Sequence, residues 1–173
     1  MLALILVLSV FFDLRERRIP NWLTASGVVV GLSLNLVEGF AEFLQGFLGL
    51  ALGLGMLIVP FALGWVGAGD VKLVGTVGAL VGIQWMPRIF FYSGLMSGIL
   101  ALFAAAMRGI QLQGFVRLWM DIKLLVISFG RVLPEGISQR TGDKKKSIPW
   151  AVAIGLGVFL AFYLDSEGKW AGF

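Results

Sequence analysis

Two residue types are missing outright: the 173-residue chain has no cysteine and no histidine. Their absence removes disulfide staples, thiol nucleophiles, Cys/His zinc sites and every triad built on imidazole. No Gly-rich run ends in the Gly-Lys-Ser/Thr of a Walker A loop, which argues against a nucleotide-driven pump. Charge is scarce as well: Asp, Glu, Lys and Arg make up 14%, far below the roughly 25% of a soluble domain. Hydrolytic chemistry here has to rest on carboxylates, lysine, hydroxyls or water.

Apolar surface is what the chain has in excess. Hydrophobic residues make up 58% of it, and the mean hydropathy is +0.92. One soluble core of this size cannot hide so much, so part of the solvent must be lipid. The 24 glycines fit, because glycine lets helix backbones approach closely in membranes. The net charge of +4 is not laid out for nucleic acid, and no such partner is expected. Basic residues gather instead in two loops, at Arg15, Arg17 and Arg18 and from Arg108 to Lys146, as the positive-inside rule describes.

The hydrophobic runs predict an all-α, multi-pass membrane protein, one integral-membrane domain over residues 1–173. Six spans are expected, at about 1–12, 22–37, 43–63, 71–85, 89–107 and 148–164. The first ends in Asp13 and an arginine cluster, the wrong polarity for a signal peptide. Between the fifth and sixth, Arg117, Asp121, Ser128 and Arg131 share one helical stripe beside Phe115, Leu118, Trp119, Ile122, Leu125 and Val126. That pattern predicts an amphipathic helix lying in the interface. A seventh crossing through Leu124–Phe129 would carry Lys144–Lys146 outside, against the charge rule. Loop charge therefore places Asp13, the turn Gly64–Asp70 and the basic segment on the cytoplasmic side of the inner membrane, with both termini extracytoplasmic. Trp22, Trp85, Trp119 and Trp150 fall near interfaces and are expected as aromatic-belt anchors.

Two carboxylates stand where a hydrophobic span meets a cytoplasmic loop. Asp13 sits in Phe12-Asp13-Leu14-Arg15-Glu16-Arg17-Arg18-Ile19-Pro20-Asn21, and Asp70 in Gly67-Ala68-Gly69-Asp70-Val71-Lys72-Leu73. An ionisable group near membrane depth is costly and points to function. Peptide hydrolysis needs one group to deprotonate water and another to protonate the departing amine. Two close carboxyls sharing a proton supply both. Gly67 and Gly69 permit unusual backbone and let a substrate strand pass close by. Each feature also has a plain reading. Asp13 alone serves as an interfacial charge paired with Arg17, and a lone Gly-x-Gly-Asp serves as structure.

Taken together, Asp13, Ile19-Pro20-Asn21 and Gly67-x-Gly69-Asp70-Val71-Lys72-Leu73 resemble the type IV prepilin and preflagellin peptidases, membrane aspartic proteases of the Gly-x-Gly-Asp class. The likeness continues through Gly78-Ala79-Leu80-Val81-Gly82 and into Lys146-Ser147-Ile148-Pro149. The resemblance implies six helices and Asp13 and Asp70 as the catalytic pair, with no cofactor and no metal. It also implies cleavage of a short basic leader from prepilin or pseudopilin precursors that carry a hydrophobic N-terminal helix. Larger members of that family add a cysteine-rich domain and methylate the new N-terminus. This chain has no cysteine and is similar in size to the short enzymes of Flp/Tad pilus systems, so methyltransferase activity is not expected. Lys72 reads as a modulator of Asp70 or as a snorkelling anchor, Glu16 as a solvated partner of the arginines, and Lys144–Lys146 as topology determinants that meet anionic membrane lipids. The reading from another class is a small transporter using the two aspartates as a proton relay, which would want them mid-span. An intramembrane enzyme of the presenilin type also carries Gly-x-Gly-Asp, but pairs it with Tyr-Asp where this chain has Phe12-Asp13.

Overall fold

A computed structural model describes residues 1–63, 66–107 and 150–164 of the chain. Every regular element among them is helical: α1 (Leu2–Glu16), α2 (Asn21–Glu38), α3 (Phe40–Ala62), α4 (Ala68–Val81), a 3-10 turn (Ile83–Trp85), α5 (Met86–Met107) and α6 (Trp150–Leu164). The expectation of an all-α chain is met in these residues. The expected interfacial helix, with Trp119 and Lys144–Lys146, lies outside them.

Three breaks set the helix boundaries. Gly39, at φ 147°, separates α2 from α3, and Gly82, at φ 81°, ends α4. Both conformations suit a residue without a Cβ. Arg17 closes α1 in the left-handed region (φ 54°), its N–H donating to the Asp13 carbonyl. The fourth span is thus shorter at its far end than the hydropathy suggested. The apolar run to Trp85 includes a glycine that stops the helix at Val81 and a separate turn after it. Helix α1 conversely runs a full turn past Asp13, so that aspartate lies inside the helix and not after it.

Helix α4 is the centre of the bundle. Leu73 through Ala79 are all buried, with α4 packed between α3 and α2, while α6 packs between α5 and α1. The α3–α4 seam is made of glycine: a Cβ added at Gly49 would strike the Gly78 carbonyl oxygen, and one at Gly78 the Gly49 oxygen. Gly53 and Gly46 extend the seam, a Cβ on either meeting an α4 carbonyl, that of Val74 at 2.8 Å or Ala79 at 2.9 Å. Asn35 reaches the same Ala79 carbonyl from α2 (2.9 Å).

Small and hydroxylated residues such as Ser9, Thr76 and Ala151 are fully buried, whereas Val7, Phe11, Val29, Phe47, Ile58 and Phe103 point outward. Such a continuous apolar exterior fits a lipid solvent or a partner surface. Two stretches, Phe40–Ala62 and Ile83–Ala104, are long and apolar enough to cross a membrane. Not all the tryptophans project outward as belt residues do. Trp22 does, at 62% exposed, but Trp85 stacks on Phe162 with 4.4 Å between ring centres and has the Arg88 guanidinium 5.1 Å from its ring centre.

Candidate active site

The two aspartates separated by 57 positions meet at one end of the bundle. A cleft of about 520 Å³ is lined by both, together with the loop from Glu16 to Asn21, Gly67–Gly69 and Lys72. Eight residues of the sequence pattern border this one cleft: Asp13, Ile19, Pro20, Asn21, Gly67, Gly69, Asp70 and Lys72.

Asp13 is buried at the last turn of α1. Its Oδ2 accepts a hydrogen bond of 3.1 Å from the Ala151 backbone N–H, in the first turn of α6. That N–H has no partner within its own helix, and the positive end of the helix favours a carboxylate there. Sequence reasoning did not find Ala151. Its only signal was Pro149, a residue that commonly precedes or opens a helix.

Asp70 holds the third position of α4. Its Oδ2 accepts the Gly67 N–H at 3.2 Å, while the Gly67 carbonyl accepts the Asp70 and Val71 N–H groups. The spacing of three from Gly67 to Asp70 is half of a capping box. The Gly-x-Gly-Asp run therefore starts the helix that positions its own acid.

The glycines are not equivalent. A Cβ at Gly69 would lie 3.3 Å from Ile19 Cβ, and one at Gly67 would lie 3.1 Å from Asp70 Oδ2. Gly69 thus admits the chain's own Ile19, which is buried, where the sequence suggested a substrate strand. Two residues further along, at the start of α2, Asn21 Oδ1 accepts a 2.9 Å bond from Lys72 Nζ. Lys72 is tied to the Ile-Pro-Asn segment. Together these contacts clamp the α1–α2 loop onto the N-terminal turn of α4, which brings Asp13 and Asp70 into one cleft. Glu16 is exposed at the rim.

Both carboxyls lie at helix ends, outside the two long apolar stretches, and both are pushed above the ordinary carboxylate value. For Asp13 the cause is burial, opposed by the Ala151 N–H and then by the Arg17 charge. For Asp70 it is burial first and the Asp13 charge second, against the Gly67 N–H, and its pKa rises to about 7. The charge of one aspartate acting on the other is the signature of an interacting pair. Among the described residues, no group of three or more Asp, Glu, His or Cys gathers to hold a metal ion.

The sequence model of the type IV leader peptidase family matches residues 1–102, which hold both aspartates. The chain belongs to that family. Three curated relatives carry the name prepilin leader peptidase/N-methyltransferase. The protein from Bacillus subtilis (strain 168) is 27% identical over 165 residues, 94% of this chain and 54% of its own length. That from Aeromonas hydrophila is 29% identical over 112 residues, 59% of this chain and 38% of its own. That from Neisseria gonorrhoeae is 29% identical over 115 residues, 62% of this chain and 40% of its own. The chain thus spans about half of the first relative and less of the others. No solved structure matches.

Proposed function

We propose that this chain is an aspartic endopeptidase of the inner membrane that removes short basic leaders from prepilin-like precursors at the cytoplasmic boundary. The observation that carries this reading is the meeting of Asp13 and Asp70 in one cleft, each held by a backbone N–H and the charge of one acting on the other. The relatives' shared name supports the substrate class. Only the peptidase half of that name is carried over.

The chemistry follows from a pair that shares one proton. The ionised member takes a proton from a water lying between the carboxyls as that water attacks the scissile carbonyl. The protonated member donates toward the carbonyl oxygen, and a proton then passes to the departing amine. Two neighbouring acids suffice for this cycle, and the reading assigns no metal or cofactor. The titration belongs to the pair.

The whole chain is read as one domain of six spans. Its apolar exterior supports that, and two of its helices reach the roughly 30 Å of a bilayer core: α3, with 23 residues, and α5, with 22, are about 33–35 Å long at 1.5 Å per residue. Both aspartates stand at span ends, beside the aqueous face a leader would approach, which favours a peptidase over a mid-membrane proton relay. Asp13→Asn and Asp70→Asn test the assignment. Each should reduce leader removal from a co-expressed prepilin by at least about 10³-fold while accumulating in the membrane at the normal level. Processing by either variant within tenfold of wild type would overturn the two-acid reading.

A further inference from the structure

Arg17 is held in a conformation that its side chain does not favour. It closes α1 at φ 54° and ψ 32°, and among the described residues it is the one non-glycine with a positive φ. The left-handed region crowds a Cβ against the following carbonyl, and helix ends that use it usually carry glycine or asparagine. The cap itself asks nothing of the side chain. It is made by the Arg17 backbone N–H donating to the Asp13 carbonyl at 3.0 Å, a bond that any residue but proline supplies.

What the side chain adds is position. Arg17 stands four residues after Asp13, the spacing at which a carboxylate and a cation share one helical face. It borders the same cleft as both aspartates. The three arginines of the segment are not equivalent there. Arg15 lies over the Phe11 ring, 6.0 Å from its centre, outside the cleft lining. Arg18 does border the cleft, as do Lys72 and the acids Glu16 and Asp70, and Lys72 is engaged by Asn21. The ionisable residues of α2 and α6, the other helices packed on α1, are Glu38 and Tyr163, in the last turns of those helices and away from the cleft. Burial drives Asp13 toward its neutral form; after the Ala151 N–H, it is the Arg17 charge that opposes this.

Topology does not explain the choice. Arg15 and Arg18 would keep the loop basic without Arg17, and a glycine would close α1 at lower cost. A strained backbone kept at a carboxyl pair points to use of the side chain.

We propose that Arg17 is a positioning residue of the catalytic pair: the left-handed backbone brings its guanidinium to the cleft, where the positive charge holds the two carboxyls in the state with one proton between them. The inference rests on the leader-peptidase reading and adds to it the group that sets the lower pH limit of activity. A doubly protonated pair has no base to take a proton from water. A cation one turn from Asp13 disfavours that state and so extends activity to lower pH. Arg17 is exposed, so salt weakens the effect.

The test is the pH dependence of leader removal from a purified prepilin, with the enzyme in nonionic detergent at low and high salt. The acidic limb of Arg17→Gln should lie about half a pH unit above that of wild type at low salt. Cleavage below the limb is then about threefold slower, and the loss shrinks as pH rises. Added salt should move the wild-type limb upward and the Arg17→Gln limb less. Arg17→Asn removes the charge while suiting the left-handed backbone, so it should show the same shift with no drop in the midpoint of thermal inactivation. Arg17→Lys should restore the wild-type limb. A limb that stays in place in Arg17→Gln and Arg17→Asn would overturn the proposal. So would a rate loss that is uniform across pH and unrelieved by lysine, which would make Arg17 a structural cap. Failure of the parent reading looks different. Cleavage by Asp13→Asn or Asp70→Asn within tenfold of wild type removes the two-acid pair and the Arg17 proposal with it. Inactive aspartate variants beside an unmoved limb remove the Arg17 proposal alone.

Discussion

Asp13 and Asp70 are the same residue type in different settings. One accepts its backbone N–H from a distant helix, the other from the glycine three positions earlier. Burial raises both, and the Asp13 charge helps to take Asp70 to about 7. In the proposed mechanism the active pair holds one proton, so the rate of leader removal should fall once pH rises through about 7 and the last proton leaves, by about tenfold per pH unit. A pH–rate profile flat from 6 to 9 would contradict a shared proton. The sign for stability is also fixed. The folded chain holds the Asp70 proton over a range where the unfolded chain, at the ordinary aspartate value of 3.8, has released it. Stability should therefore decline as pH climbs from about 4 to about 7, and Asp70→Asn should flatten that slope. Lys72 donates to Asn21, and we propose that it acts through that bond. Lys72→Met should slow cleavage roughly fivefold, matching the loss of one hydrogen bond of about 1 kcal/mol. Asn21→Asp, which keeps an acceptor for the ammonium, should stay close to wild type. Equal losses in the two variants would mean that the Lys72–Asn21 bond is not what matters.

The helices were largely legible as hydrophobic runs, and their ends much less so. Periodicity and length mark a helix, but its boundaries depend on where the backbone can turn. Gly82 was hidden inside an apolar stretch that looked continuous to Trp85. The glycines of α3 and α4 were visible as composition, yet only packing distinguishes the close contacts of Gly49 and Gly78 from Gly55, where no described atom comes within 4 Å of an added Cβ. The prediction at this scale follows from that difference. Gly78→Ala forces a Cβ into the Gly49 carbonyl and should cost at least about 2 kcal/mol, read as a lower midpoint of thermal inactivation in detergent. Gly55→Ala should leave the midpoint unchanged. The two substitutions are chemically identical, so a matching effect would show that the seam does not hold the bundle together.

For the molecule as a whole, two ends of the bundle differ in kind. One carries the aspartates, the arginine loop and Lys72; the other gathers Asn35, Glu38, Glu42, Gln45 and Gln84. Since the chain has no cysteine of its own, single cysteines report sidedness directly. Arg17→Cys and Gly67→Cys should be protected from an impermeant maleimide added to intact cells. Glu42→Cys and Gln84→Cys should be labelled. Opposite labelling of positions 17 and 67 would end the peptidase reading, because carboxyls a bilayer apart, about 30 Å, cannot share a proton. Composition alone pointed to a lipid-suited chain and excluded thiol and imidazole chemistry, because those depend only on which residues are present; the helical character came from the hydrophobic runs. The local runs around Asp13 and Asp70 singled out the acids, because an ionisable group beside an apolar span stands out in one dimension. Only the tertiary structure decided how those acids are held and what surrounds them. The Ala151 N–H, the contact of Gly69 with Ile19 and the close approach of Gly49 to Gly78 join residues far apart in the chain. Such relations exist only once the helices have chosen their neighbours.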